Sequence, residues 1–589
     1  MAETHGDRTA ISFLPNGATN DHPVNITHTE LLEKSTQVAN LLDDLGVGKD
    51  EVVAIVTPNL IETIYTIIGA ETAGIALPIP PYVEPEKMAA TLNKCKAKVL
   101  ITFGFHQGFD TWRYLQHIQP ELETTEHFII INTDIQASND LEFECHDFHT
   151  EINKQPKDHL KSNRVISPND IATYVQTSGS TGTAKTIERT HASQVFHIWS
   201  QISTYGFTQK DSLIYAFPIC DRDIPLLTHL SLAVNGGKVI IQGAKGYSDE
   251  NVINHFWNIV NKYKVTTLLA SPSIIQRLLN SASIENKEFE SVRFLLHSGE
   301  RLSQTLHDKF KEKTNINLLQ VYSLTESCFL GTHHLNQNGR TDCIGIREAY
   351  TELKVVKLDT EGNQLGNCNT GDSGALFIRG PHLAKYVDDE LNSQQFTDDG
   401  WFNTGDSVKQ GSDGIFWYIG RTMSQIKING SFLNPEPIEN DLNVNTNIAE
   451  SVVVNMPHGD FINVPVSFVT LVDEKLAEET TTSILEHFEK NYATHSEVII
   501  TNALKRTSVG KLDRVSPSSN AQKIGLQNIL VEDISRLGCE ITIEMSTNDS
   551  NSHHASISIK STDKTMINQA ISHTESKLEL HDISYSITS

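Results

Sequence analysis

Helical periodicity and short apolar runs alternate along the chain from about residue 28 to about residue 420. Apolar positions recur three and four residues apart over 30–45 and 60–69, which predicts helices with one buried face. Short apolar, β-branched runs lie at 52–57, 99–103, 171–175, 212–217, 238–242, 266–270, 293–297 and 318–322. Strands that alternate with helices predict parallel βαβ layers. After Gly420-Arg421 the pattern shortens to strands at 451–455 and 464–472 and a helix over 475–492. Past residue 516 a helix over 522–537 is followed by two period-two segments, Cys539-x-Ile541-x-Ile543-x-Met545 and Ala555-x-Ile557-x-Ile559. An Asn-Asp-Ser turn between them predicts a hairpin, and a further helix and an alternating strand through Tyr585 and Ile587 close the chain. The expected class is α/β: a large multilayer N-terminal domain of βαβ units (1–420), a small α+β domain (421–515) and a small α+β C-terminal appendage (516–589) in which no chemistry is evident.

Composition narrows the partners. A formal net charge of −26 argues against a nucleic-acid or anionic-membrane surface, because phosphate backbones select basic faces; any phosphate must sit in a local pocket. The seven cysteines are scattered without a Cys-x-x-Cys pair, which fits free thiols in a reducing compartment. Neither an apolar signal core at the N-terminus nor an apolar run of about 18 residues is present, so the expectation is a cytoplasmic protein with no integral membrane segment. Histidine metal sites are disfavoured by spacing, since no His-x-x-x-His or Cys/His pattern occurs.

The most specific string is Thr177-Ser178-Gly179-Ser180-Thr181-Gly182-Thr183-Ala184-Lys185, directly after the apolar run at 171–175. Small residues let the backbone approach a polyphosphate, and successive N–H groups, hydroxyls and one lysine can cradle its charge. The spacing is neither that of a Walker A loop nor that of a dinucleotide fold.

Four further segments follow in order: Tyr322-Ser323-Leu324-Thr325-Glu326; Trp401-Phe402-Asn403-Thr404-Gly405-Asp406; Gly420-Arg421 with Ile426-Lys427; and Lys505 to Arg514, which holds Gly510-Lys511. Together with the loop they resemble the signatures of the adenylate-forming superfamily, which comprises acyl-CoA synthetases, adenylation domains and luciferases. The resemblance spans roughly residues 25–515. It implies an AMP-forming acid–thiol ligase with ATP and coenzyme A as cosubstrates and Mg²⁺ as cofactor. A carboxylate and ATP give acyl-AMP and pyrophosphate, and a thiol then takes the acyl group. It further implies that the loop, Tyr322, Thr325, Asp406 and Arg421 bind ATP or AMP, with Gly299-Glu300 near adenine. Glu326 would ligate Mg²⁺ through hard oxygen, Thr325 would hydrogen-bond the α-phosphate, and Asp406, placed in a turn, would accept the ribose hydroxyls. Lys511 would bridge the attacking carboxylate and the α-phosphate, offsetting their repulsion in the transition state, on a small mobile domain that swings between two orientations. Thr325, Glu326 and Lys511 are thus the expected catalytic residues.

Softer likenesses, Gly246-Tyr247-Ser248-Asp249, residues 255–260, Arg189-Thr190-His191 and the C-terminal extension, resemble bacterial fatty-acyl-CoA synthetases. An acyl-AMP ligase loading a separate carrier protein and a weakly active nucleotide-binding homologue are the alternatives. Three departures stand out. Ala184 and Thr186 replace Pro and Gly of the loop, and Met423 falls at the hinge position. Cys220 and Asp221, in Phe217-Pro218-Ile219-Cys220-Asp221-Arg222-Asp223, replace an aromatic residue and a histidine at the acyl entrance; with Ser298 they are candidates for the acyl pocket.

Overall fold

The computed structural model describes the chain except for residues 105–110, 132–144, 178–184, 222–236, 286–288, 300–301, 328–331, 334–340, 342, 360–361, 423–425, 429–430, 459–461, 493, 507–511, 548–552, 562, 579–583 and 589. Two large mixed sheets dominate, one of nine strands and one of eight. The first has a parallel centre and antiparallel edges, and the second is antiparallel at one edge only. Thr9–Leu14, Lys238–Gln242, Ser212–Tyr215, Thr267–Leu269, Phe294–His297 and Asn317–Tyr322 run parallel in the first. Ile171–Gln176, Ile75–Pro78, Val52–Val56, Ala97–Phe103 and His127–Ile131 run parallel in the second. The strands are near-continuous apolar runs because both faces are covered. Val53, Ile55 and Ile101 of one sheet share a core with Leu213, Val239 and Leu296 of the other, together with helices His28–Asp44 and Ile61–Ala73. The first helix starts where the sequence directs it: Thr27 Oγ1 accepts the Glu30 N–H, and Glu30 Oε2 accepts the Thr27 N–H.

The chain departs from the expected βαβ alternation over residues 352–421. There a five-stranded antiparallel sheet forms from Glu352–Leu358, Gln364–Asn367, Ser373–Arg379, Phe402–Gln410 and Phe416–Arg421. After it, Ile448–His458, Ile462–Leu471 and Glu497–Ile500 make a three-stranded sheet covered by helix Ala477–Tyr492. Helix Val515–Arg536 is longer than the 522–537 expected, and it packs on Ile448–His458 as well as on the last sheet. A Cβ at Gly525 would lie 2.4 Å from the Pro457 carbonyl oxygen, so only glycine permits that approach. The expected hairpin is present as Glu540–Thr547 and His553–Lys560, and Ser584–Thr588 joins it in parallel after helix Lys564–Leu578.

Candidate active site

Parallel strands leave their loops at the carboxyl ends, the usual ligand crevice of open α/β sheets. Three of the expected segments exit there: the Thr177 loop after Ile171–Gln176, Ser298-Gly299 after Phe294–His297, and the Thr325 turn after Asn317–Tyr322. The antiparallel pair Gln176↔Thr186 closes the first loop. The Thr177 N–H donates to the Lys185 carbonyl (2.9 Å), and the Lys185 N–H donates to Thr177 Oγ1 (3.0 Å).

Lys185 then meets the Thr325-Glu326 turn through a residue that carries no signature of its own. Tyr386 places its ring 5.4 Å from Lys185 Nζ and donates its hydroxyl to Glu326 Oε1 at 2.7 Å. Burial, with the adjacent Glu326 charge, raises the Tyr386 phenol far above its usual range, so it stays a donor. Behind the turn, the fully buried Arg189 donates from Nη2 to the Thr325 carbonyl at 2.9 Å. Ala384 N–H donates to the Glu326 carbonyl at 2.8 Å, so the turn is fixed at both residues.

A second cluster sits on the antiparallel sheet. Tyr322 donates its hydroxyl to Asp406 Oδ2 at 2.5 Å, and Arg421 Nε lies 3.0 Å from Asp406 Oδ1. Strand register sets this up, because Asp406 and Arg421 are cross-strand partners. Gly405, at φ +70°, turns the strand there; its N–H donates to Asn403 Oδ1. Burial would lower Arg421, but Asp406, with Tyr418, Tyr322 and Glu436 adding to it, outweighs burial and raises the guanidinium further. Beyond lie Tyr418, which donates to Glu436 at 3.4 Å, and Arg514, which forks onto both oxygens of Glu439. Burial raises the Glu436 carboxyl, against the lowering pull of Arg514. Glu439 Oε1 also accepts the Val453 N–H at 2.7 Å, so the end of the closing motif is tied to the small sheet.

A family model, "AMP-binding enzyme", matches residues 1–386. The chain belongs to the AMP-binding enzyme family. It is similar to a marinolic acid–CoA ligase of Pseudoalteromonas sp. (strain SANK 73390), 26% identical over 512 residues that cover 85% of this chain and 77% of that protein. Among solved structures it is similar to ATP-bound MatB from Rhodopseudomonas palustris, at TM-score 0.75 and 20% identity, over 89% of this chain and 97% of that one. It is also similar to the anthranilate CoA ligase AuaEII in complex with anthranoyl-AMP, at TM-score 0.72 and 22% identity, over 88% of this chain and 95% of that one. The adenylate-forming resemblance, the α/β class and the ligase reading from sequence are borne out.

Within this AMP-binding enzyme the expected site residues divide by place. Thr177, Lys185, Tyr322, Thr325, Glu326, Asp406 and Arg421 stand in the two clusters above. Ser298 reaches the Tyr322 segment, with its Oγ 3.1 Å from Ser323 Oγ, and Gly299 follows at φ +91°. Ser178, Gly179, Ser180, Thr181, Gly182, Glu300, Met423 and Lys511 lie outside the described residues. The flanks of Lys511 are described: Asp513 N–H donates to the Lys505 carbonyl at 2.8 Å, and Arg506 pairs with Leu512. Asp406 differs from its expected setting. It lies within strand Phe402–Gln410 and is 1% exposed, with its oxygens facing Tyr322 and Arg421, because the Trp-x-x-Thr-Gly-Asp string enters a ladder here instead of ending in a turn. Cys220 is fully buried, its Sγ 3.4 Å from Thr57 Oγ1, and burial pushes its thiol up to about 11; Asp221 beside it accepts the Tyr82 hydroxyl at 3.3 Å. Tyr386 and Tyr418 escaped the sequence reading, and Arg189 entered it only within a softer likeness and without a role, because only the tertiary fold gives them partners.

Proposed function

We propose that this enzyme activates a carboxylic acid as acyl-AMP with release of pyrophosphate and then transfers the acyl group to the thiol of coenzyme A with release of AMP. The observation that carries the reading is the convergence of Lys185, Tyr386 and Glu326 on one side and Tyr322, Asp406 and Arg421 on the other, where the loops at the carboxyl ends of parallel strands meet the five-stranded antiparallel sheet. Glu326 fits Mg²⁺: it offers hard oxygen, half-buried and oriented by Tyr386, and the ion would there neutralise charge on the triphosphate. Lys185 and Arg421 supply fixed cations near the phosphates. Tyr322 and Arg421 orient Asp406, whose carboxylate is the group offered to the ribose hydroxyls.

The small unit 421–515 turns about Met423 to bring Lys511 to the attacking carboxylate, then withdraws it for the thiol. The names of the relatives, marinolic acid–CoA ligase and anthranilate CoA ligase, support coenzyme A as acceptor here. Free cysteines among the described residues, and among them no helix long and apolar enough to cross a membrane, agree with a cytoplasmic setting. The substrate is a fatty or other organic acid. Asp221 at the edge of the buried Cys220 segment favours one that carries a second polar group.

Carboxylate-dependent ATP–pyrophosphate exchange, run across fatty, aromatic and dicarboxylic acids, tests the first half-reaction, and thioester detection tests the second. Exchange with one acid class and a coenzyme A thioester is the expected result. Absence of exchange with every acid defeats the proposal, and exchange without a thioester moves the acceptor to a carrier protein.

A further inference from the structure

The end of the three-stranded sheet farthest in function from the nucleotide holds a donor set that the ligase reaction does not use. Strand Ile448–His458 runs antiparallel to Ile462–Leu471, so it ends at His458 where its neighbour begins, and His458 stands opposite Ile462. Strand Glu497–Ile500 runs parallel to that neighbour and therefore starts at the same end, with Glu497 opposite Val466. His495 precedes Glu497 by two residues. In this way three segments deliver His458, His495 and Glu497 to one edge, with one ligand atom from each within 4.8 Å of the others. The two imidazole rings lie 5.3 Å apart, centroid to centroid, inclined at 57°. His458 and Glu497 are half-buried and His495 is exposed.

We infer that His458, His495 and Glu497 form a binding site for one borderline divalent cation, Zn²⁺ above all. Two imidazole nitrogens and one carboxylate oxygen match the ligands that Zn²⁺ takes in three-ligand sites, with water as the fourth ligand. Mg²⁺ and Ca²⁺ are poor occupants, because both select all-oxygen shells. Spacing along the chain conceals the site: His458 is remote in sequence from His495-x-Glu497, and only the strand order joins them. The site also adjoins the seam where Pro457 meets Gly525 of helix Val515–Arg536. Its cation ties the ends of the two outer strands together beside the helix that leads into the appendage. Bound metal therefore stabilises the small unit by mass action, since the unfolded chain lacks the preformed site.

The test uses the full chain without an affinity tag, stripped with chelator and free of nucleotide. Titration with Co²⁺ reads the visible band of a tetrahedral complex, and calorimetry with Zn²⁺ reads stoichiometry. One equivalent of Co²⁺ with a saturating band, displaced by Zn²⁺, is expected, together with a higher thermal midpoint in Zn²⁺ than in chelator. His495→Ala, at an exposed position, and Glu497→Gln, an isosteric change at a half-buried one, should each lose the saturating band while keeping the wild-type midpoint in chelator. His159→Ala, an exposed histidine paired with Asp158, should keep it. The inference is overturned by no stoichiometric binding, by binding that survives both site variants, or by binding lost equally in His159→Ala. Should one site variant fail to fold, the other decides.

Discussion

Tyr386 joins the two charges that a nucleotide site must place correctly. Its ring faces Lys185 and its hydroxyl holds Glu326 Oε1, so one side chain sets both the cation and the hard-oxygen ligand. A hydrogen bond to a charged group is worth about 1.5–3 kcal/mol, of which the solvent-facing carboxylate recovers a part. Tyr386→Phe should therefore raise the KM for MgATP and lower kcat/KM roughly tenfold, which is about 1.4 kcal/mol, with an unaltered acid profile across substrates. Steady-state kinetics with ATP varied check this; an unchanged KM would remove Tyr386 from the site. Lys511 is different in kind, because its proposed role exists only in the transition state. Lys511→Ala should cut ATP–pyrophosphate exchange by about 10²–10³ while thioester formation from supplied acyl-AMP survives. Equal loss of both half-reactions would contradict the two-orientation model.

At the scale of elements, the fork from Arg514 to Glu439 locks the end of the closing motif onto helix Pro435–Leu442, and Glu439 in turn holds the Val453 amide. Arg514 keeps about a third of its side chain exposed, so the pair is worth less than a fully buried one, roughly 1–3 kcal/mol. Glu439→Ala, which removes the acceptor, should expose the Val453 amide to exchange while amides such as Ile55 in the large sheet keep their protection; hydrogen exchange resolved by residue reads both. Uniform loss would show that the small sheet does not open on its own. These elements also show where sequence reading succeeds. Val52–Val56 and Lys238–Gln242 are apolar on both faces, and such runs declare themselves. The five-stranded sheet did not, because Gln364–Asn367 is wholly exposed and Phe402–Gln410 carries Gly405, Asp406 and Ser407 in its middle, residues that read as a turn. The same mixture explains why the motif gave Asp406 its role but not its setting. Arg189 and Tyr386 were illegible for another reason: each acts on a turn more than fifty residues away in sequence.

Over the whole molecule, acid sensitivity follows from three imidazoles sealed behind the site. His197, His297 and His382 are each at most 1% exposed. Burial pushes His297 and His382 down to about 4, and burial, with Arg189 and His382 adding to it, holds His197 well below its usual value. In the unfolded chain all three titrate near about 6.5. The unfolded state therefore binds more protons between these values, and stability rises with pH through that window. The contribution is complete above about pH 6.5 and is lost as pH falls towards 4. Each full proton amounts to about 1.4 kcal/mol per pH unit, and because an unfolded imidazole is only half charged at about pH 6.5 the three together remove about 3 kcal/mol between pH 6.5 and 5.5, a large share of a typical folding free energy. Glu188 and Glu436 act with the opposite sign, since burial raises their carboxyls and protonation relieves that cost, whereas His28, His191 and His553, which burial also lowers, add to the slope. Asp211 cannot produce an early onset. Burial would raise its carboxyl, but Arg293, the Thr208 N–H and the Thr266 hydroxyl bring it below the usual range, and the stability it adds above about pH 4 is lost only below that. The urea midpoint should fall steeply from pH 7 to 5.5, and His297→Gln and His382→Gln should each flatten the slope by about one proton. A level profile over that range in the wild-type chain would mean that these imidazoles gain solvent before the fold gives way.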